Sequence, residues 1–333
     1  MKLLKIARFY HTKNLPIQMR CKRLDFFEGS EKKLEVYVKG VDLRALGKEY
    51  WSGIVERCQA KILSSISNDY CDAYLLSESS LFVWKDSFTM ITCGTTMLVN
   101  SVEAFLERFD RENISLLVYE RKNEYRPQLQ KTSFFDDVKR FEKFVDGKAY
   151  RFGNVDEHHL FLYEMNTPYE PEPTDNTFEV LMYDLQGEAK KIWSCPKATL
   201  EEIQTKTEVR NIIPGFQVDD FKFDPCGYSL NAINGPHYFT IHVTPEESGS
   251  YVSFETNFQP EKNDYSKILA GVLKVFQPRS FDTVLFAPRI NYKILADGFT
   301  LRTAVQSSLA SGFDVKYCHF SWPVESVQSA KLL

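Results

Sequence analysis

Two short runs carry residues able to do chemistry on the chain itself. The first is Leu76-Ser77-Glu78-Ser79-Ser80, and close behind it comes Cys93-Gly94-Thr95-Thr96. Tyr74 and Leu75 precede the first run, and Leu81, Phe82 and Val83 follow it. β-Prone apolar residues thus flank Glu78, Ser79 and Ser80, which places the triplet at a strand end or in a tight turn. There the Ser79 hydroxyl can reach the Glu78 carbonyl carbon through a five-membered ring. If the backbone is held for that attack, the chain can cut itself at Glu78-Ser79. Cys93 adds a thiol at close sequence range. On spacing alone the bland reading is a solvated turn, because Glu-Ser-Ser occurs by chance in many loops.

Most of the elements that must position these residues read as strands. The segment 34–39 alternates apolar and polar residues, and 160–163, 238–244 and 251–256 also carry strand signals. Helical spacing appears as stripes: Leu46, Tyr50, Ile54, Val55 and Cys58; Leu98, Val102, Phe105, Leu106 and Phe109; Phe134, Phe135, Val138 and Phe141; Ile268, Leu269, Val272 and Phe276. The segment 300–309 gives a weaker fifth stripe. Hairpins followed by single helices suggest antiparallel sheets with helices on one face of each. The two halves echo each other loosely, without a precise period. The Pro- and Glu-rich stretch 166–176 reads as a loop rather than a linker.

Composition narrows the function classes. The 333 residues carry 41 basic and 45 acidic side chains, a net charge of −4, and 43% are hydrophobic. That balance leaves no electrostatic footprint for nucleic acid or an anionic membrane. No apolar run reaches the roughly 18 residues a membrane helix needs. Residues 1–18 are basic, with Lys2, Lys5, Arg8 and Lys13 and no acid. We read residues 1–23 as an N-terminal extension rather than a targeting segment, with Met19 a second candidate start. The seven cysteines are scattered, with no CxxC pair, which argues against a disulfide framework or a structural zinc site and for a reducing cytosol.

Three further segments add to the first two runs. They are Phe26-Phe27-Glu28-Gly29-Ser30-Glu31-Lys32, Asp224-Pro225-Cys226-Gly227-Tyr228-Ser229 and Ile241-His242-Val243-Thr244-Pro245-Glu246. In this order the five motifs make the chain resemble eukaryotic S-adenosylmethionine decarboxylase, from about Leu24 to about Phe320. The resemblance implies an α+β fold, a four-layer αββα sandwich of two antiparallel sheets with outer helices, formed by one domain over 24–333. It also implies self-cleavage between 78 and 79 into a β chain (1–78) and an α chain (79–333). Decarboxylating an amino acid needs an electron sink that no standard side chain supplies. The implied sink is a pyruvoyl group derived from Ser79, with neither metal nor pyridoxal phosphate.

The resemblance assigns roles to single residues. Ser229 hydrogen-bonds the processing intermediate, and His242 removes the Ser79 α-proton. His242 shares one strand face with Tyr238, Thr240 and Thr244 by period-two alternation. Cys93 is the implied proton donor to the substrate α-carbon; without the family it would read as a small buried hydrophobe. Phe27 and Phe223 match an adenine-stacking pair, which beside a sulfonium also offers cation–π attraction. Glu246 matches the ribose-binding carboxylate, Leu76 and Glu78 line the substrate, and Glu28 and Glu31 support the active site.

Some animal members are stimulated by putrescine through acids buried between the sheets. The matching residues here are Glu35, Asp175, Glu179 and Glu255, with Thr177 beside them, Phe286 as an apolar wall, and Lys32 and Arg121 as the basic members. Two positions depart from that pattern. Ile91 stands where such members carry lysine, and Glu120 where they carry a small polar residue, so one cation is lost and one anion gained. The expected partners are S-adenosylmethionine, putrescine as an activator, and a second copy in a homodimer of αβ units. Two competing functions remain at this point: a catalytically inactive paralogue that activates an active partner, and a plain binding module for adenosyl compounds.

Overall fold

Along one strand Leu34, Val36 and Val38 alternate with Lys33, Glu35 and Tyr37, and this alternation sets the plan of the molecule. The apolar set faces a core under helices, while the polar set faces a second sheet. A computed structural model describes residues 26–323, apart from 248 and 292. The extension read over 1–23 lies outside the described residues.

The first half runs β1 (Lys32–Val38), α1 (Gly47–Arg57), β2 (Ile62–Ser67), β3 (Asp72–Leu76), β4 (Ser79–Val83) and β5 (Ser87–Thr92). It continues through α2 (Val99–Leu106), β6 (Ile114–Lys122), α3 (Phe134–Phe141), β7 (Gly147–Gly153) and β8 (His159–Met165). The second half runs β9 (Thr177–Leu185), α4 (Gly187–Trp193), α5 (Leu200–Thr207), β10 (Gln217–Lys222), β11 (Tyr228–Asn234) and β12 (His237–Thr244). It ends with β13 (Tyr251–Thr256), α6 (Ser266–Phe276), β14 (Pro278–Ala287), β15 (Thr300–Ser308) and β16 (Asp314–Ser321).

Each half folds into one eight-stranded sheet whose neighbouring strands pair antiparallel. The first has the order β2-β3-β4-β5-β1-β6-β8-β7, and the second β10-β11-β12-β13-β9-β14-β16-β15. Adding eight to each strand number of the first order gives the second. The loose echo in the sequence is therefore one topology used twice.

Helices cover the outer faces. Trp51, Ile54, Val55, Val102, Phe105, Phe134 and Phe141 pack on Leu34, Val36, Leu81 and Met90 of the first sheet. Trp193, Ile203, Ile268, Leu269, Val272 and Phe276 pack likewise on the second. A capping box starts α3, with Ser133 accepting the Asp136 N–H and Asp136 accepting the Ser133 N–H. The inner faces meet over two apolar patches. One joins Leu116, Val118 and Leu162 to Leu181, Val284 and Tyr317. The other joins Cys71, Ala73 and Phe82 to Ile233 and Tyr238. Buried polar side chains also lie on the inner faces, among them Lys33, Glu120, Glu179, His242 and Glu255. The result is an αββα sandwich, as expected.

Residues 300–309 depart from expectation: 300–308 form edge strand β15, not a helix. Thr303, Val305 and Ser307 alternate half-buried with exposed neighbours, and β16 supplies the pairing partner. β-Branched residues on a half-buried pleat outweigh a weak helical stripe. Helices α4 and α5 were not anticipated, although α5 opens with a capping box of Thr199 and Glu202. No described helix is long and apolar enough to cross a membrane.

The Phe82 ring lies 4.4 Å from Tyr238 across the sheet interface and is fully buried. Phe82→Ala should lower unfolding free energy by about 3–5 kcal/mol in urea denaturation, the range for emptying an aromatic site. A loss below about 1 kcal/mol would show that this patch does not hold the sheets together.

Candidate active site

The β3–β4 hairpin turns through Ser77 and Glu78 alone, with Leu76 opposite Ser79 in register. Ser79 sits at φ 130°, a region that L-residues other than glycine rarely enter. Such a conformation holds about 1–3 kcal/mol of strain, and here it falls on the Glu78-Ser79 peptide. The Glu78 carbonyl oxygen accepts the Cys93 N–H at 2.9 Å and faces the Cys93 thiol at 3.4 Å. The Ser79 hydroxyl is 3.7 Å from that thiol and lies close enough to the Glu31 carboxyl to lower its pKa slightly. Thr96 braces the Cys93 turn, donating to the Cys93 carbonyl at 2.9 Å.

The second sheet brings His242 against the first. Its Nδ1 pairs with Ser229 Oγ at 2.8 Å, and its Nε2 with Thr240 Oγ1 at 2.9 Å and Ser80 Oγ at 3.1 Å. Ser229 and His242 are cross-strand neighbours in register, so the sheet itself pairs them. Ser80 was not assigned a role from sequence. The alternation that puts Phe82 on the inner face puts Ser80 there too, and that signal was readable.

Burial tunes these groups. It pushes the Cys93 thiol well up, with Glu78 and Glu31 adding to the effect, so the thiol stays protonated at neutral pH. Burial lowers His242 to about 3, which keeps the ring uncharged. It raises Glu31 to about 8 and Glu78 to about 7, the latter against the pull of Lys32.

A cavity of about 140 Å³ opens beside this centre, lined by Phe27, Glu28, Glu78, Gly94, Thr95 and Gln130 among others. Phe27 is 39% exposed and presents its ring there. A methyl group on Gly94 would meet that ring and Glu78 Oε2 at 3.1 Å, so only glycine keeps this wall open. Glu28 is buried, taking the Ser30 and Arg126 N–H groups. Glu246 accepts the Phe27 N–H at 3.3 Å, and its charge also acts on Cys226 in the 223–227 turn that carries Phe223. Leu76 is different. Its side chain packs in the core under the helices, so only its backbone adjoins Ser79.

The acidic residues lie beside this centre, between the sheets. Lys33 Nζ is 2.7 Å from Glu35, 2.9 Å from Glu179, 3.2 Å from Glu255 and 3.8 Å from Glu120. Lys122 bridges Glu120 and Glu179. Phe286 lies under Lys33 at 5.7 Å. Asp175 stands near Glu35, and burial raises its carboxyl. Thr177 opens β9 opposite Phe286.

The cations expected here were Lys32 and Arg121, and both lie elsewhere. Lys32 donates to the Gly94 carbonyl and Gln130, and Arg121 pairs with Glu124 and Asp137. Strand parity is the reason: residues 32 and 121 point away from the side that carries 33, 35, 120 and 122. Lys33 stands directly opposite Ile91 in register, so the cation missing at 91 comes from the neighbouring strand. Lys122, two residues beyond Glu120, offsets the added anion.

Residues 24–326 match the family model for adenosylmethionine decarboxylase. The chain is 35% identical to an S-adenosylmethionine decarboxylase proenzyme of Dictyostelium discoideum, covering 88% of this chain and 84% of that one. It is 38% identical to a proenzyme of the same name from Leishmania donovani, covering 78% and 73%. A crystal structure of the Trypanosoma brucei AdoMetDC-delta26 monomer superposes with a TM-score of 0.57 at 27% identity, covering 73% of this chain and 99% of that one. The chain belongs to the adenosylmethionine decarboxylase family.

Proposed function

We propose that this chain is a self-processing decarboxylase that converts S-adenosylmethionine to its decarboxylated form and CO₂, supplying the aminopropyl donor for spermidine and spermine. The observation that carries this reading is the Glu78-Ser79 peptide, strained at Ser79 and held through its carbonyl by the Cys93 N–H. Ser79 Oγ attacks the Glu78 carbonyl carbon, and the peptide C–N bond gives way to an ester. The Cys93 N–H already points at the oxygen on which negative charge builds. Loss of the Ser79 α-proton then breaks the Cβ–Oγ bond and frees the Glu78 carboxylate. Hydrolysis of the resulting enamine releases ammonia and leaves a ketone at position 79. Uncharged His242 keeps a lone pair to take the α-proton, and Ser229 fixes the ring.

The pyruvoyl group so made supplies the electron sink that decarboxylation needs. The remaining work falls to side chains. Phe27 and Phe223 offer aromatic faces to the adenine, and Glu246 a carboxylate to the ribose hydroxyls. Glu78 and Glu28 put acidic groups on the wall where a sulfonium would lie. The protonated Cys93 thiol returns a proton to the α-carbon after CO₂ leaves. An inactive chain serving only to activate a partner has no observation in its favour, since Ser79, Cys93, Ser229 and His242 are all in place.

Release of labelled CO₂ from carboxyl-labelled S-adenosylmethionine tests the reading. Wild type should turn over, and Cys93→Ala should lose about 10²–10⁴-fold, the usual contribution of a proton donor. No release by wild type would overturn the proposal. A Cys93→Ala loss below about twofold would remove Cys93 from the chemistry.

The acidic cluster leads to a further expectation. Lys33 and Lys122 place two ammonium groups among Glu35, Glu120, Glu179 and Glu255, as a bound diamine would. We therefore read the cluster as neutralised from within and the enzyme as largely independent of putrescine. Millimolar putrescine should stimulate wild type less than about twofold, while Lys33→Met should be stimulated at least about fivefold, within the usual span of coupling between sites. Equal stimulation of both proteins would show that putrescine acts without competing for the Lys33 position.

A further inference from the structure

Three residues outside the active site converge across one edge of the sandwich. His158 lies in the turn between β7 and β8 of the first sheet, while Asp282 on β14 and His319 on β16 are cross-strand partners in the second. His319 Nδ1 is 2.6 Å from Asp282 Oδ1, and His158 Nδ1 is 3.4 Å from Asp282 Oδ2. One donor atom from each of the three lies within 4.8 Å of the other two. The imidazoles stack at 4.4 Å, with 22° between their planes. Asp282 is buried, His319 is 12% exposed and His158 is 28% exposed, so one side opens to solvent. Tyr183 donates to Asp282 Oδ2 at 2.9 Å and fixes the carboxylate.

We propose that His158, Asp282 and His319 form a binding site for a borderline divalent transition-metal ion of the Zn²⁺ class. Two imidazole nitrogens and one carboxylate oxygen are the donor set that such ions take, with the remaining position left to water on the His158 side. The ion takes the place of the imidazole–Asp282 contacts, and Tyr183 holds the carboxylate in place from behind. The site is remote from the reaction: in strand order β13 and β9 separate β14 from His242 on β12. Its effect is to tie a turn of the first sheet to two strands of the second. The three residues come from distant segments and form no spacing motif, so the cysteine pattern gave no hint of them.

The test is titration of the full chain with zinc chloride after chelator treatment and dialysis. Calorimetry should show one zinc ion per chain, and metal analysis after gel filtration the same ratio. Binding should raise the melting temperature, because the ion stabilises only the folded state. His158→Ala and His319→Ala should each weaken binding by at least about tenfold, and Tyr183→Phe by about 10–100-fold, as loss of an outer partner does. His158 sits in a surface turn, so its variant keeps the fold even if a strand variant does not. Failure of wild type to bind zinc, or equal affinity in wild type and His158→Ala, would overturn the site. The second result would place the zinc elsewhere on the chain.

Discussion

Lys33 holds four carboxylates together in the space between the sheets, and the surrounding structure depends on that ammonium group. Burying acids without counter-charge would force them to take up protons or drive the sheets apart. With Lys33 and Lys122 in place, Glu179 stays below its usual range while burial and neighbouring acids push Glu120 and Glu255 up. The cluster reaches the reacting centre through Glu31. Lys122 and Glu179 both act on its carboxyl, which accepts the Ser253 hydroxyl at 2.8 Å and lies near Ser79. A change in the cluster's charge is thus felt beside the Glu78-Ser79 peptide.

The duplicated topology explains why the site lies where it does. Each half alone buries one face of a sheet under helices and leaves the other face open. Closing the two open faces puts β4 against the second sheet, so the Ser79–Ser80 strand and the Ser229–His242 pair come from different halves. The Glu78-Ser79 bond lies in one repeat, and the imidazole of His242 lies in the other. The apolar patches at Phe82–Tyr238 and around Tyr317 then keep the interface closed around a polar middle.

Much of this was readable from residue types in order. Alternation in 34–39 and 238–244 located two central strands, and it placed His242 and Thr240 on one face. The same rule, applied from Glu35, points to Lys33 rather than Lys32, and from Ser80 to the imidazole. Those assignments were missed because motif matching runs along the chain, whereas parity decides which side of a sheet a residue serves. Leu76 shows the same thing, its side chain lying on the helix side although its backbone adjoins Ser79. The edge strand β15 took its state from pairing with β16 together with its own half-buried alternation, which the weak helical stripe had masked. The His158, Asp282 and His319 cluster depends on strand order, which no local signal encodes.

The central claim is that strain and hydrogen bonding at one peptide make the chain cut itself. Intact mass measurement of the freshly purified chain tests it most directly. The account predicts two species, residues 1–78 and 79–333, the longer bearing a blocked ketone-containing start, while Ser79→Ala remains a single chain of 333 residues. A wild-type chain that stays whole while releasing CO₂, or a Ser79→Ala chain that divides at the same bond, would contradict it.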